Sequence, residues 1–208
     1  MNKKLSCFIA LIITATLLIS LPKTMPTAAS PATRIYVVPP NIRYTIDNGT
    51  VGTLFNVSVW VEDVTDLCGY QVQIRFNQSI LDCLDAYEPT WDPNYVLYSI
   101  LPFTMSTESD KVGQYTIGGS ELPGKPQAHF NGTGLITIFK FNITAAPGEG
   151  EVLSCLLNIN HDQTFLLNSV GATISATKEN GYYEFRGREL PPPPPGGAKL
   201  FIDPPEII

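Results

Sequence analysis

Residues 54–84 read LFNVSVWVEDVTDLCGYQVQIRFNQSILDCL, and the fold class follows from them. Phe55, Val57, Val59 and Val61 recur at every second position, with Asn56, Ser58, Trp60 and Glu62 between them. After a polar break from Glu62 to Asp66, Tyr70, Val72, Ile74 and Phe76 repeat the pattern against Gln71, Gln73 and Arg75. Side chains alternate across a strand, so each run predicts a half-buried β-strand with one apolar face on a core. The break is too short for a helical crossover. Two antiparallel strands are therefore expected, either paired or in facing sheets.

Working outward, Arg34–Val38 reads as a first strand stopped by Pro39 and Pro40, with a turn at Asp47-Asn48-Gly49. Ile80–Ala86, Gln114–Ser120, Leu135–Thr144, Val152–Ile159, Val170–Ala176 and Tyr182–Phe185 supply further strands. In Leu135–Thr144, Leu135, Thr137, Phe139, Phe141 and Ile143 share one parity, and Ile136, Ile138, Lys140 and Asn142 the other. Residues 87–110 carry Pro89, Pro93 and Pro102 and no clean period. They predict a long irregular excursion with one helical turn near Tyr95–Ser99. About nine strands and no amphipathic helix describe an all-β sandwich. Ala32–Arg186 is long enough to bury one ordinary core.

The ends of the chain are organised differently. Lys3 and Lys4, the apolar run Leu5–Leu21 and the small residues Thr27-Ala28-Ala29 have the layout of a signal peptide over 1–29. At 17 residues, with Ser6, Thr14, Thr16 and Ser20 inside it, the run is short for a membrane span. Only an uncleaved leader would tie the chain to a membrane. Of 13 Lys and Arg residues, the leader holds three (Lys3, Lys4, Lys23) and no acid, which leaves 10 against 19 Asp and Glu, a formal charge of −9. That excess of acid argues against a nucleic-acid partner. Five Asn-x-Ser/Thr sequons, at Asn48, Asn56, Asn77, Asn131 and Asn142, suit a secreted, glycosylated surface protein. The sandwich is expected over 30–187, and residues 188–197, with Pro191–Pro195 and Gly196-Gly197, form a linker. Lys199–Ile207 (KLFIDPPEI) then repeats Arg34–Ile42 (RIYVVPPNI) at an offset of 165 residues, so 198–208 reads as the start of a second, truncated repeat module.

Sites for chemistry are scarce. His129 and His161 lie outside any motif, and no nucleophile elbow, zinc-protease helix or phosphate loop is present. Asp82, Asp85 and Glu88 read as solvated acids rather than a catalytic pair. Asn158, Asn160 and Asp162 have the opening spacing of a calcium loop, but Gln163 and Ser169 replace the required Gly and Glu, so no metal or cofactor is expected. After the leader, three cysteines remain: Cys155 has core parity, and Cys68–Cys83 is the one candidate disulfide pair. Tyr87, Trp91 and Tyr95, with Tyr98, form an aromatic series in the excursion. They are either staples that anchor the segment or a stacking surface for sugars.

Three segments together resemble a cohesin domain. In the first, Gly52, Phe55, Val57, Val59, Leu67, Gly69, Tyr70, Gln71, Ile74, Phe76 and Leu81 fit the family's second and third strands, with Asn77-Gln78 in place of its Asp-Pro turn. The others are GTGLITIFKFNIT at 132–144 and LLNSVGATISATKENGYYEF at 166–185. The resemblance implies a nine-stranded jelly-roll β-sandwich, an architecture shared with family 3 carbohydrate-binding modules. It implies a non-catalytic module of a secreted scaffold or surface protein that holds dockerin-bearing partners, linked to polysaccharide degradation. In that family the dockerin lies across the sheet of the third, fifth and sixth strands. By position and alternation the partner-binding face is expected to show Gln71, Gln73, Arg75, Thr116, Ile136 and Ile138. The family's polar pair on the third strand falls on Gly69 and Gln71, so the glycine is a departure. Two other readings accompany this one: a carbohydrate-binding module using Tyr87, Trp91 and Tyr95, and a structural adhesion repeat.

Overall fold

Alternating sequence becomes twelve strands among the described residues of the computed structural model, which are 32–98, 102–109 (backbone only), 113–121 and 129–191. The expected leader over 1–29, the expected linker from residue 192 onward and the expected repeat over 198–208 lie outside the described residues. In chain order the strands are β1 (Arg34–Val38), β2 (Asn41–Thr45), β3 (Leu54–Arg75), β4 (Leu81–Tyr87), β5 (Pro102–Ser109) and β6 (Gln114–Glu121). Then come β7 (Phe130–Ile143), β8 (Val152–Ile159), β9 (Phe165–Asn168), β10 (Thr173–Ile174), β11 (Thr177–Glu179) and β12 (Gly181–Arg186). The architecture is the expected all-β jelly-roll sandwich, with twelve strands in place of about nine.

The expected pair of antiparallel strands over 54–76 is instead one strand, the 22-residue β3. The polar break does not end it, because Asp63 (φ 53°) and Asp66 (φ 60°) enter the left-handed region that Asp tolerates better than most residues. The register against β7 slips at the same places, between Val61 and Val64 and between Val64 and Leu67. Such bulges bend a strand and add twist without breaking it. Thus β3 runs from one layer of the sandwich into the other. Residues 54–61 pair with β1 and β7, and β4 continues that layer beyond β7. Residues 69–75 pair with β6 on one edge and with β9 and then β8 on the other. β5 extends the second layer beyond β6, while β12 and β2 extend it beyond β8.

The inward parity of both layers closes one core. Val57, Val59, Phe139 and Phe141 from the first layer meet Val72, Ile74, Ile117, Leu157, Ile159 and Tyr183 from the second. Phe55 stacks on Phe141 at 5.5 Å and on Tyr183 at 5.7 Å, so one ring ties the two layers together. Each buried ring or branched aliphatic of this kind stabilises the fold by about 1.5–3 kcal/mol.

The strands absent from the sequence reading are β2, β5, β9 and β11, and of the expected strand Val170–Ala176 only the two residues of β10 pair. β5 lies inside the supposedly irregular excursion. Pro102 is its first residue, where a missing N–H is tolerated, and it pairs with β6 over its whole length. The predicted helical turn is a hydrogen-bonded turn in which the Tyr98 amide donates to the Tyr95 carbonyl at 2.9 Å; Ser99 lies outside the described residues. The candidate disulfide is not formed. The Cys68 thiol, on β3, donates to the Asn168 carbonyl at 2.9 Å, whereas Cys83 is buried on β4, with its thiol toward the Asp85 carbonyl at 3.6 Å.

Candidate functional site

The second layer builds the expected face from β3, β6, β8 and β9. Register places Gln71 beside Gly118, Gln73 beside Thr116 and Arg75 beside Gln114. On the other edge Gln71 faces Phe165 and Arg75 faces Asn158. Gln71, Gln73, Arg75 and Thr116 therefore do come together on one surface, opposite the core parity of Tyr70, Val72 and Ile74. Gly118 leaves bare backbone beside Gln71. A Cβ there would stand 3.1 Å from the Tyr70 carbonyl oxygen.

Shared parity does not make these residues equally available. Gln73 is only 6% exposed. Its side chain donates to Thr116 Oγ1 at 2.8 Å and accepts from the buried Asn160 amide, while its backbone amide donates to Thr164 Oγ1 at 3.0 Å. It pins the 160–164 connection across the strand edge, so its work is structural. Asn160, the middle residue of the rejected calcium spacing, is consumed by the same network. Gln71 is half-buried and donates to the Gln163 carbonyl at 2.8 Å. Arg75 is exposed, and no hydrogen bond or ion pair engages it among the described residues. It is the available cation of the face. Gln114 and Asn158 flank it and were missed, although Gln114 shares the parity of Thr116 and could have been found by extending the alternation. Farther along the same layer, Leu156 is 53% exposed and lies opposite the half-buried Tyr182.

Ile136 and Ile138 do not join this face. A bulge in β7 pairs Val59 with Thr137 but Trp60 with Leu135, so Ile136 is the extra residue and turns into the core, fully buried. Ile138 is half-buried between Ser58 and Tyr87, on the outer side of the first layer. Strand β7 borders residues 54–67 of β3, not the half that carries Gln71.

The aromatic series divides. Tyr95 is 1% exposed, and its hydroxyl hydrogen-bonds that of Tyr70 at 3.0 Å, with Glu88 3.3 Å from the Tyr70 oxygen. Burial first, then Tyr95 and Glu88, push the Tyr70 phenol well above its ordinary pKa, so it stays neutral. Tyr95 is thus a staple and is removed from the sugar-stacking set. Trp91 remains 67% exposed and stacks on the half-buried Tyr87, with centroids 5.6 Å apart. Of the sequons, Asn48, Asn56, Asn77 and Asn131 are exposed, and Asn142 is half-buried with its carbonyl oxygen enclosed. Among the described residues no group of three or more His, Cys, Asp or Glu converges as a metal site.

No protein-family model and no curated protein matches the sequence. Solved structures do. A non-cellulosomal cohesin from the archaeon Archaeoglobus fulgidus superposes with a TM-score of 0.54 at 14% identity, covering 74% of this chain and 91% of that one. The chain has the cohesin fold. A cohesin in a type I cohesin–dockerin complex from Clostridium thermocellum gives a TM-score of 0.58 at 8% identity, covering 75% and 94%. A cohesin from Clostridium acetobutylicum gives 0.55 at 14% identity, covering 73% and 90%. Each of these likenesses covers about three quarters of the chain.

Proposed function

We propose that this chain is a non-catalytic binding module that captures a dockerin-type protein partner on the outer face of β8, residues 69–75 of β3, β6 and β5. The observation that carries the reading is Arg75. It is an exposed guanidinium without a side-chain partner among the described residues, at the end of β3 between Gln114 and Asn158 on a mostly amide surface, in a fold whose solved examples include cohesin–dockerin complexes. Arg is well suited to an interface centre, because its planar fork forms several hydrogen bonds at once. Leu156, Tyr182 and Phe165 add apolar area at the margin. The acidic chain, its leader pattern and its sequons support a secreted or cell-surface setting. A role in polysaccharide breakdown rests on the resemblance to the family.

Calorimetric titration against dockerin modules encoded by the same organism tests this. Arg75→Glu is expected to weaken binding at least tenfold, about 1.4 kcal/mol, with an unchanged melting temperature. Ile138→Asp, in the other layer, is expected to bind like the wild type. Wild-type affinity in Arg75→Glu would remove this face as the site.

A further inference from the structure

The outer face of the first layer carries a different surface. Register aligns Ser58, Ile138 and Tyr87 in one row across β3, β7 and β4, and Asn56, Lys140 and Asp85 in the next. Trp60 leans into the first row. Its indole N–H donates to Ser58 Oγ at 3.1 Å, and Ser58 in turn donates to the Val38 carbonyl at 3.1 Å. Trp91 closes the far end by stacking on Tyr87, with an interplanar angle of 27°, and remains largely exposed. Two strand spacings, about 10 Å, separate the Trp60 and Tyr87 ends. Beyond Trp60 the strip stops, because the Arg34 guanidinium sits 4.5 Å over the Tyr36 ring.

We infer that this strip is a platform for a neutral polysaccharide chain, separate from the protein-binding face. Trp60, Ile138, Tyr87 and Trp91 offer rings and an aliphatic edge to the C–H faces of pyranoses. Asn56, Lys140 and Asp85 run alongside to hydrogen-bond the hydroxyls. The indole N–H of Trp60 is already satisfied within the protein, which leaves its π face as the contact. A protein partner fits less well, since an ordinary interface needs about 800 Å² per side around a desolvated centre. This apolar line is one side chain wide and bordered by charges. An anionic polymer is disfavoured by the excess of acids on the chain. Stapling does not account for Trp91, because the staple of this segment is the buried Tyr95, whereas Trp91 is two-thirds exposed.

The test uses the full chain from a host without N-glycosylation, since Asn56 is a sequon. Retention is measured on insoluble cellulose, xylan and mannan, and by affinity electrophoresis through soluble neutral β-glucans, with polygalacturonate as the anionic comparison. The expected result is retention on at least one neutral polymer. It should fall tenfold or more in Trp91→Ala and further in Trp60→Ala/Trp91→Ala, and stay at the wild-type level in Arg75→Glu. Trp91→Ala removes an exposed ring and should melt with the wild type, so its loss of retention would not be loss of fold. Unretarded wild type on every neutral polymer, or undiminished retention in Trp91→Ala, overturns the inference. Stronger retention on polygalacturonate, or a Trp91→Ala defect confined to self-association, overturns it as well.

Discussion

The two halves of β3 read alike and end up unlike. Residues 54–61 and 69–75 alternate with the same period, and both send polar or amphipathic side chains outward. In the first half Ser58 and Trp60 face an open surface beside Ile138 and Tyr87. In the second half the loop 160–164 settles on the outward row, so that Gln73 is buried and Gln71 is tied to a carbonyl. Alternation determines which side of a sheet a residue takes. It says nothing of which strands flank that sheet or what later chain covers it. The accessible chemistry of the two halves therefore differs: one exposed Arg among amides, and one line of rings.

The largest effect expected from this contrast concerns the two isoleucines of β7. Ile136→Ala should destabilise the fold by about 2–5 kcal/mol, because it empties a closed core site. Ile138→Ala should cost less than about 1 kcal/mol, because the side chain is half-buried on the outside. Urea unfolding with constant slope measures both. Equal costs would mean that the β7 bulge does not rotate Ile136 inward.

A smaller effect separates the two glutamines. Gln73→Ala leaves the buried Asn160 amide and the Thr116 hydroxyl without their partner, for an expected loss of about 1–3 kcal/mol. Gln71→Ala removes a single half-exposed bond, worth about 0.5–1.5 kcal/mol. Native-state hydrogen exchange at Asn160 and Thr164, whose backbone amides donate to the Gln73 and Asn160 carbonyls, should accelerate in the first variant and not in the second. If the two variants exchange alike at those amides, Gln73 is not the pin of that connection.

The sandwich was legible because its core strands obey a period of two: Phe55 to Val61, Tyr70 to Phe76 and Phe139 to Ile143 all fall on the core as their parity demands. Failures sit where the period slips. Asp63 and Asp66 looked like the end of a strand because they are polar, yet their left-handed backbone makes them bulges that carry β3 between layers. Ile136 was misassigned for the same reason, since one inserted residue reverses every parity before it. β5 was hidden by prolines, of which Pro102 only marks its start. In the candidate site, Arg75 and Thr116 could be placed from the sequence, while the burial of Gln73 could not. Its partners Asn160 and Thr164 are 87 and 91 residues away, and no local pattern announces that approach.

The smallest expected effect tests whether burial by neighbours, rather than parity, governs another outward position of the second layer. Glu184 lies on β12 with outward parity, between the inward Tyr183 and Phe185, yet it is nearly enclosed. Arg186 donates to its carboxylate at 2.6 Å, and Arg43, its register partner on β2, stands 3.9 Å away. The hydrogen bond from Arg186 is the main reason that the Glu184 carboxyl is held below its ordinary pKa of 4.5; partial burial opposes it, and the charges of Arg186 and Arg43 add to it. A depressed carboxylate binds its proton less readily in the folded than in the unfolded chain, so ionised Glu184 stabilises the fold above the ordinary value. That contribution is lost as the pH falls through 4.5 toward the lower folded value. Glu184→Gln, which preserves shape but not charge, should therefore be less stable than the wild type near neutral pH. The gap should narrow as the pH is lowered below 4.5. Taking the difference between variant and wild type at each pH cancels the titration of the other carboxylates. A gap that stays constant from about pH 7 to about pH 3 would show that the arginines cover Glu184 without favouring its charge.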